Sequence, residues 1–372
     1  MMRRLDLTRT QILAYRRNVQ ALDERLPAAP DSLRHAAWAG LQDSMPRAAL
    51  LSIHARVEGT GPSTWEDASL VQLWGPRFSA YVVAARELAV FSLGRLPDDG
   101  RGRRVADDLA ARLHAFLDGR AMTYGEAGHG LGEHPNRLRY AAPTGTVLIR
   151  WDGARQPTVW TVPAPDFDSR EARLELARRY VHIFGPTTPD AFAQWAGIPS
   201  ALGRAAFAAL GGSLTPARTP AGDGWILTCD EPMFRAPTVP TSLARLLPSG
   251  DAYFLLQGAD RELLVPEAER RRELWTPRVW PGAVLVGGEI TRPLGHLRPG
   301  SWRRPLTAPG SDPSGASSHR PSSPGPQTGP MRAVVRSTAQ RAEGAYVASR
   351  KFWILIRMTM RIIGLGTFGI LH

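Results

Sequence analysis

Cysteine and lysine are almost absent from this chain of 372 residues, and each shortage excludes something. Cys229 is the single cysteine, which rules out an internal disulfide and any cysteine-based zinc cluster. Lys351 is the single lysine, so arginine carries nearly all of the positive charge. The first twenty residues contain no apolar stretch of the signal-peptide type and predict an amphipathic helix instead. We therefore expect a cytoplasmic protein.

The positive charge is concentrated near the end of the sequence. The formal net charge is +12, from 46 Lys and Arg against 34 Asp and Glu. Residues 301–372 hold ten of the cations and only two of the acids, so the first 300 residues carry a net charge of just +4. Net charge is thus weak support for nucleic-acid binding by the folded part of the chain. The length itself favours two or three domains.

Residues 101–165 predict a short helical unit that ends in a hairpin. Apolar residues at helical spacing predict a helix over Val105–Leu117, a second over Thr123–Leu131 and a third over Pro135–Tyr140. Two β-rich runs then flank Asp152-Gly153, a strong hairpin signal. Three helices followed by a hairpin is the order of a winged helix.

Two other segments repeat this order, residues 7–97 and 166–235. In the later one, Asp168 and Thr188 are N-caps, Gly197 ends a helix, and residues 213–229 resemble a wing. The earlier one predicts helices at 8–22, 31–41, 46–57 and 84–91 with a strand at 78–83. The predicted fold is mainly α with small β wings (α+β): three tandem winged-helix domains.

Residues 236–290 predict a small β-rich closing element. Asp251–Gln257 and Ala283–Val286 are strand-like, and a partner strand is expected after the second of these. Asp251 itself is typical of a turn residue. Residues 291–372 are a basic tail, and the composition of residues 291–345 predicts disorder. The tail is expected to arise from a shifted reading frame or from late divergence. Its apolar end contains Arg357 and Arg361, which disfavour a membrane span.

Arginines recur at the positions where a winged helix meets DNA. Arg137 and Arg139 lie in the predicted recognition helix, and Arg150 and Arg155 in the wing. Arg101, Arg103 and Arg104 precede the first helix of the same unit. Cations there contact phosphates and base edges of duplex DNA, although exposed arginines are often no more than solvated surface.

Several other site types find little support. His129, His134, Glu126 and Glu133 match no strict zinc spacing. The chain has no phosphate-binding glycine loop, and no glycine elbow surrounds Ser44. We therefore expect neither a metal nor a small-molecule cofactor.

A polar break, Gln42-Asp43-Ser44, separates two apolar helical runs in HAAWAGLQDSMPRAALLSIHARVEG. Small polar side chains held between helices can be positioned accurately enough for chemistry. The plainer alternative is that Asp43 or Ser44 caps the next helix, with Pro46 just inside its start.

These segments together resemble a known family. LTRTQILAYRRN, the block around Gln42, FGPTTPDAFAQW from Phe184, and the LLP, LLVP and PGAVLVGG runs of the closing element are similar to the AlkZ-like DNA glycosylases. The resemblance implies three tandem winged helices that hold duplex DNA. It also implies a monomer that needs no cofactor and associates with the nucleoid.

The resemblance also implies an active-site position. A Gln-x-Gln or Gln-x-Asp motif of the family holds water against the sugar carbon of an alkylated nucleotide. Its first residue corresponds to Gln42 and its second to Ser44, where the sequence departs from the pattern. Serine is a poor general base, and the Asp43 carboxylate comes one residue early. The resemblance therefore predicts either a monofunctional glycosylase that uses Gln42 with Asp43 or Ser44, or a non-catalytic DNA-binding or regulatory protein.

Overall fold

The computed structural model describes residues 4–45, 47–152, 156–238, 243–256, 258–276 and 280–293. The predicted tail lies outside these ranges beyond residue 293, and so does Arg155. Helices and short strands alternate along the described part, which confirms the mixed α+β class.

The first helix of the first segment has its start fixed by the Thr8–Gln11 capping box. Its elements are β1 (Leu5–Asp6), α1 (Arg9–Val19), α2 (Ser32–Ala36), β2 (Leu41–Gln42), α3 (Ala48–Arg56), β3 (Leu70–Trp74), β4 (Ala80–Ala84) and α4 (Leu88–Leu93). The polar break predicted between two helices therefore begins as a short strand. Gly40, at φ 72°, turns the chain from the end of α2 into that strand. β3 lies where no strand is predicted.

The second and third segments follow the predicted order of helices and strands. The second contains α5 (Gly100–Leu117), β5 (Met122–Thr123), α6 (Tyr124–Gly130), a 3-10 helix (Pro135–Thr144), β6 (Val147–Arg150) and β7 (Thr158–Thr161). The third contains α7 (Ser169–Phe184), α8 (Pro189–Ala196), α9 (Ser200–Leu210), β8 (Leu214–Thr219), β9 (Gly222–Leu227) and α10 (Glu231–Arg235). Asp168 and Thr188 cap α7 and α8 as expected.

The helix predicted at Pro135–Tyr140 is a 3-10 helix that continues to Thr144. Pro143 lies inside it and lacks the N–H group that a regular α-helical ladder needs at that position. Arg139 also donates its Nε to the carbonyl of Asn136, 2.7 Å away.

The closing element contains β10 (Ala244–Leu247), α11 (Ala259–Leu264), α12 (Ala268–Leu274), β11 (Ala283–Val286) and β12 (Glu289–Pro293). The strand predicted at Asp251–Gln257 is wrong, since Ala252–Phe254 is a 3-10 helix that the Asp251 carboxylate caps. The expected partner of β11 is β12. Gly287 and Gly288, both at positive φ, make the two-residue turn between them.

The strands of the described residues form three sheets, two of which connect different segments. The largest has the order β2-β4-β3-β6-β7-β5, so the strands of the first two segments lie in one sheet, joined where Gln72 pairs with Ile149. β1 pairs in parallel with β8 of the third segment, and β10, β11 and β12 form a sheet of their own. The largest apolar core unites α1, α7, α8 and the closing element. The first segment is thus held to both of the later ones.

Candidate functional site

Gln42 ends the edge strand β2 of the six-stranded sheet, opposite Tyr81 of β4. Its Nε2 donates to Oγ of Ser44 over 2.6 Å. Its Oε1 accepts from a guanidinium nitrogen of Arg77 at 3.1 Å, and the hydroxyl of Tyr81 lies 3.5 Å away. Gln42 is half-buried and Ser44 is exposed. The two side chains therefore form a pair at the surface, and Arg77 and Tyr81 contact the oxygen of the Gln42 amide.

Gly250 of the closing element packs against the same amide. A Cβ at this position would lie 3.5 Å from Cδ of Gln42, and the residue has φ 78°. The site is therefore bounded by the first segment and by the loop that leads into the Asp251 turn.

Asp43 points the opposite way, into the protein. It is fully buried; one carboxylate oxygen accepts from the N–H of Ala49 at 3.0 Å and the other from Nε2 of Gln72 at 2.6 Å. Burial raises the pKa of Asp43 to about 7, although these hydrogen bonds favour the ionised form. The carboxylate accepts from an N–H in the first turn of α3, although the residue at the N-cap position is Arg47 and neither Asp43 nor Ser44. Pro46 lies outside the described residues.

Gln72 extends this network to the second segment. While its amide nitrogen donates to Asp43, its Oε1 accepts from the N–H of Trp151 at 2.6 Å. No local pattern predicts this buried glutamine, because its contacts depend on the pairing of β3 with β6.

A second buried carboxylate lies at the far end of α3. Asp251 binds the guanidinium of Arg56 through both oxygens, at 2.7 and 2.8 Å, and accepts from the hydroxyl of Ser52 at 2.6 Å. Burial opposes ionisation, but the guanidinium and the hydroxyl together hold the pKa of Asp251 below its ordinary value. This residue is thus far more than a turn former. Spacing gave a partial signal, since Ser52 and Arg56 share one face of α3.

Four arginines of the second segment meet at one groove. A cavity of about 280 Å³ is lined by Arg101, Arg104, Arg112 and Arg137, together with Asp108 and Glu133. Arg137 and Arg112 each approach Glu133, at 3.1 and 3.0 Å. Cations outnumber acids in this lining, and Arg112 is a member that the sequence analysis did not select.

Of the other predicted arginines that the structure describes, Arg103, Arg139 and Arg150 are not among the residues that line this groove. Arg103 is 3.8 Å from Asp107. Arg150 binds Glu66 and Asp152, at 2.7 and 3.1 Å, and lies over the ring of Trp65. Its charge is thus engaged between the first and second segments.

Two of the four residues that match no strict zinc spacing, Glu126 and His134, serve as helix caps. Glu126 completes a capping box with Thr123, and Nδ1 of His134 accepts from the N–H of Asn136. No cluster of three or more His, Cys, Asp or Glu side chains suited to a metal occurs among the described residues. In the same part of the chain, no helix is both long and apolar enough to cross a membrane.

Comparison with known proteins identifies the family. A family model described as DNA glycosylase AlkZ-like matches residues 35–292, more than half of the chain. The chain belongs to the AlkZ-like DNA glycosylase family. The resemblance inferred from the sequence is thereby confirmed.

A solved structure agrees with this assignment. The fold is similar to that of Streptomyces sahachiroi DNA glycosylase AlkZ, with a TM-score of 0.63 and 19% sequence identity over 77% of this chain and 87% of that chain. No curated protein matches the sequence. At this identity the likeness establishes the fold, and the chemistry has to be argued from the residues.

Proposed function

We propose that this protein binds double-stranded DNA through three tandem winged helices and hydrolyses the N-glycosidic bond of an alkylated purine nucleotide. The observation that carries the proposal is the Gln42–Ser44 pair, held at the surface of a glycosylase-family fold. The enzyme would be a monofunctional glycosylase that works as a monomer.

The strand pairing supports the winged-helix part of the proposal. In the second segment β5, between the first two helices, pairs with β7 of the hairpin. In the third segment Thr187 lies between α7 and α8 and bridges to Trp225 of β9. A strand that joins the hairpin from between the first two helices is the arrangement of a winged helix.

The arginine groove supports duplex DNA as the partner. Arg101, Arg104 and Arg137 come from the start of α5 and from the 3-10 helix that occupies the recognition position. Guanidinium groups arranged in this way suit the phosphates of one DNA strand. Arg139 lies in the same 3-10 helix, and Arg103 lies in the same first turn of α5.

The chemistry needs a positioned water more than a strong base. The second N–H of Gln42 and the hydroxyl of Ser44 would hold a water molecule against C1′ of the damaged nucleotide. The water oxygen bonds to C1′ as the bond from C1′ to the base nitrogen breaks, and its proton passes to solvent. A cationic N-alkylpurine takes the electron pair and leaves as a neutral base, so a weakly basic site suffices.

Asp43 has no part in this proposal, because both of its oxygens are bound inside the fold. The same observation favours a second candidate: a DNA-binding or regulatory protein that has kept the scaffold without the activity. Of the three motif residues, the only carboxylate is buried.

Excision assays separate the two candidates. Duplex DNA that carries N7-methylguanine is incubated with the protein, and abasic sites are measured after alkaline cleavage. We expect release by the native protein and little by Gln42→Ala, with equal affinity of both for the duplex. If the native protein and Gln42→Ala both release the base only at the background rate, the enzyme proposal is excluded and the DNA-binding candidate is retained.

A further inference from the structure

The turn between β3 and β4 has an unusual backbone. Arg77 and Phe78 both have positive φ, at 55° and 56°, although neither is glycine. Side chains with a Cβ are strained in this region, and such residues persist where the surrounding structure imposes the conformation. Residues of this kind concentrate at functional sites, so the role of the turn needs an explanation.

Three parts of the chain hold the turn in place. Gly197 of the third segment packs so closely that a Cβ there would lie 2.9 Å from the backbone nitrogen of Arg77. The ring of Phe78 packs edge-on against Tyr140, and the guanidinium of the buried Arg95 lies over it at 5.2 Å. The turn is therefore fixed from all three segments.

The fixed turn delivers one charged group to the motif. Arg77 donates to Oε1 of Gln42 at 3.1 Å, from the side opposite to Ser44. Burial raises the pKa of Tyr81, whose protonated hydroxyl faces the same oxygen. Both neighbours are donors, so the carbonyl end of the amide must face them and its N–H₂ must face Ser44.

We propose that Arg77 is a positioning residue for Gln42: its guanidinium sets the orientation of the amide that holds the attacking water. This inference rests on the proposed glycosylase activity for its catalytic consequence. The orientation of the amide can be measured without that activity. Without Arg77, the amide can rotate and offer its oxygen where a donor is required.

The kinetic test uses Arg77→Met, Arg77→Lys and Arg77→Gly, with Arg86→Met as the matched control. Arg86 is an exposed arginine of the same segment, paired with Asp31. In single-turnover excision at saturating enzyme, we expect Arg77→Met to lower the rate about tenfold to a hundredfold, as misplacement of a reacting group does. The affinity for duplex DNA should stay within about twofold of the native value, a change far smaller than the expected fall in rate.

The other two variants distinguish a lost positioning effect from misfolding. Arg77→Lys keeps a donor and should recover part of the rate. Arg77→Gly suits the positive φ, so it should fold at least as well as the native protein while it loses the rate. If affinity and rate fall together, Arg77 is a DNA contact and the proposal is overturned.

A spectroscopic test is independent of catalysis. The side-chain amide resonances of Gln42, assigned by comparison with Gln42→Ala, should shift in Arg77→Met and stay unchanged in Arg86→Met. Unchanged resonances in Arg77→Met would overturn the positioning role. If the native protein excises nothing while these resonances do shift, the glycosylase proposal fails and the orientation of Gln42 by Arg77 stands.

Discussion

Helix α3 lies between two buried carboxylates that differ in their electrostatics. Asp43 precedes the helix and is bound by neutral N–H donors, and its pKa is raised to about 7. Asp251 lies beside the last residue of the helix and is bound by the guanidinium of Arg56, and its pKa is lowered. Burial penalises charge at both positions, and at Asp251 the guanidinium of Arg56, aided by hydrogen bonds, reverses the effect.

The two carboxylates join the surroundings of Gln42 to different parts of the fold. The Asp251–Arg56 pair joins α3 to the closing element, whose Gly250 packs against Gln42. The Asp43–Gln72 contact joins the motif to the shared sheet and, through Trp151, to the second segment. Asp43 adjoins Gln42 in the sequence and Asp251 adjoins Gly250, and neither carboxylate faces solvent.

The largest expected effect comes from breaking the charged pair. Asp251→Asn leaves the guanidinium of Arg56 buried without a counter-charge, which should lower the free energy of unfolding by about 3–5 kcal/mol. Urea denaturation at pH 7 measures the change. The matched control is Asp190→Asn, which removes the exposed pair with Arg204 and should cost less than about 1 kcal/mol. Equal losses of stability in the two variants would show that the Asp251–Arg56 pair is not a buried, mutually compensating pair of charges.

The pH dependence of stability should distinguish the two carboxylates. The pKa of Asp43 is higher in the folded state than in the unfolded state, where it is about 4. Its ionisation therefore opposes folding, and its contribution to stability falls by about 1.4 kcal/mol per pH unit from pH 4 to pH 7. Asp43→Asn should remove this fall.

Unfolding curves of the native protein and Asp43→Asn between pH 4 and 8 provide the measurement. For Asp251 the sign is reversed, because a lowered pKa gives stability that is lost as the pH falls. A native-to-variant difference for Asp43 that stays constant with pH would show that this carboxylate titrates normally.

The smallest effect concerns the salt dependence of DNA affinity, which the two buried carboxylates should not influence. Arg137→Ala should reduce the slope of log K against log salt concentration by about 0.9, the value of one phosphate contact. Asp43→Asn should leave the slope unchanged. Arg150→Ala should change it less, because two acids, Glu66 and Asp152, bind that charge, whereas Arg137 shares the acid Glu133 with Arg112. Fluorescence anisotropy with a labelled duplex from 50 to 200 mM salt, roughly the range over which such contacts are lost, tests all three.

Local patterns predicted much of the fold. The capped starts of α7 and α8, the hairpin of β6 and β7 and the order of helices in the later segments follow from short-range signals, because caps, turns and amphipathic spacing act within a few residues. The family resemblance also identified Gln42 and Ser44 as the pair to examine, and the described geometry brings these two side chains together.

Long-range contacts decided the rest. The sequence determined which residue types stand at the motif and where the main helices begin. It left open whether Asp43 faces solvent or the interior, since that depends on Gln72 in a strand that the local pattern missed. Asp251 and Arg56 are separated by 195 residues, and Arg77 and Gln42 by 35. Their partnerships arise only when sheets and turns from distant segments pack together, because a buried charge or a strained turn is stable only beside the groups that compensate it.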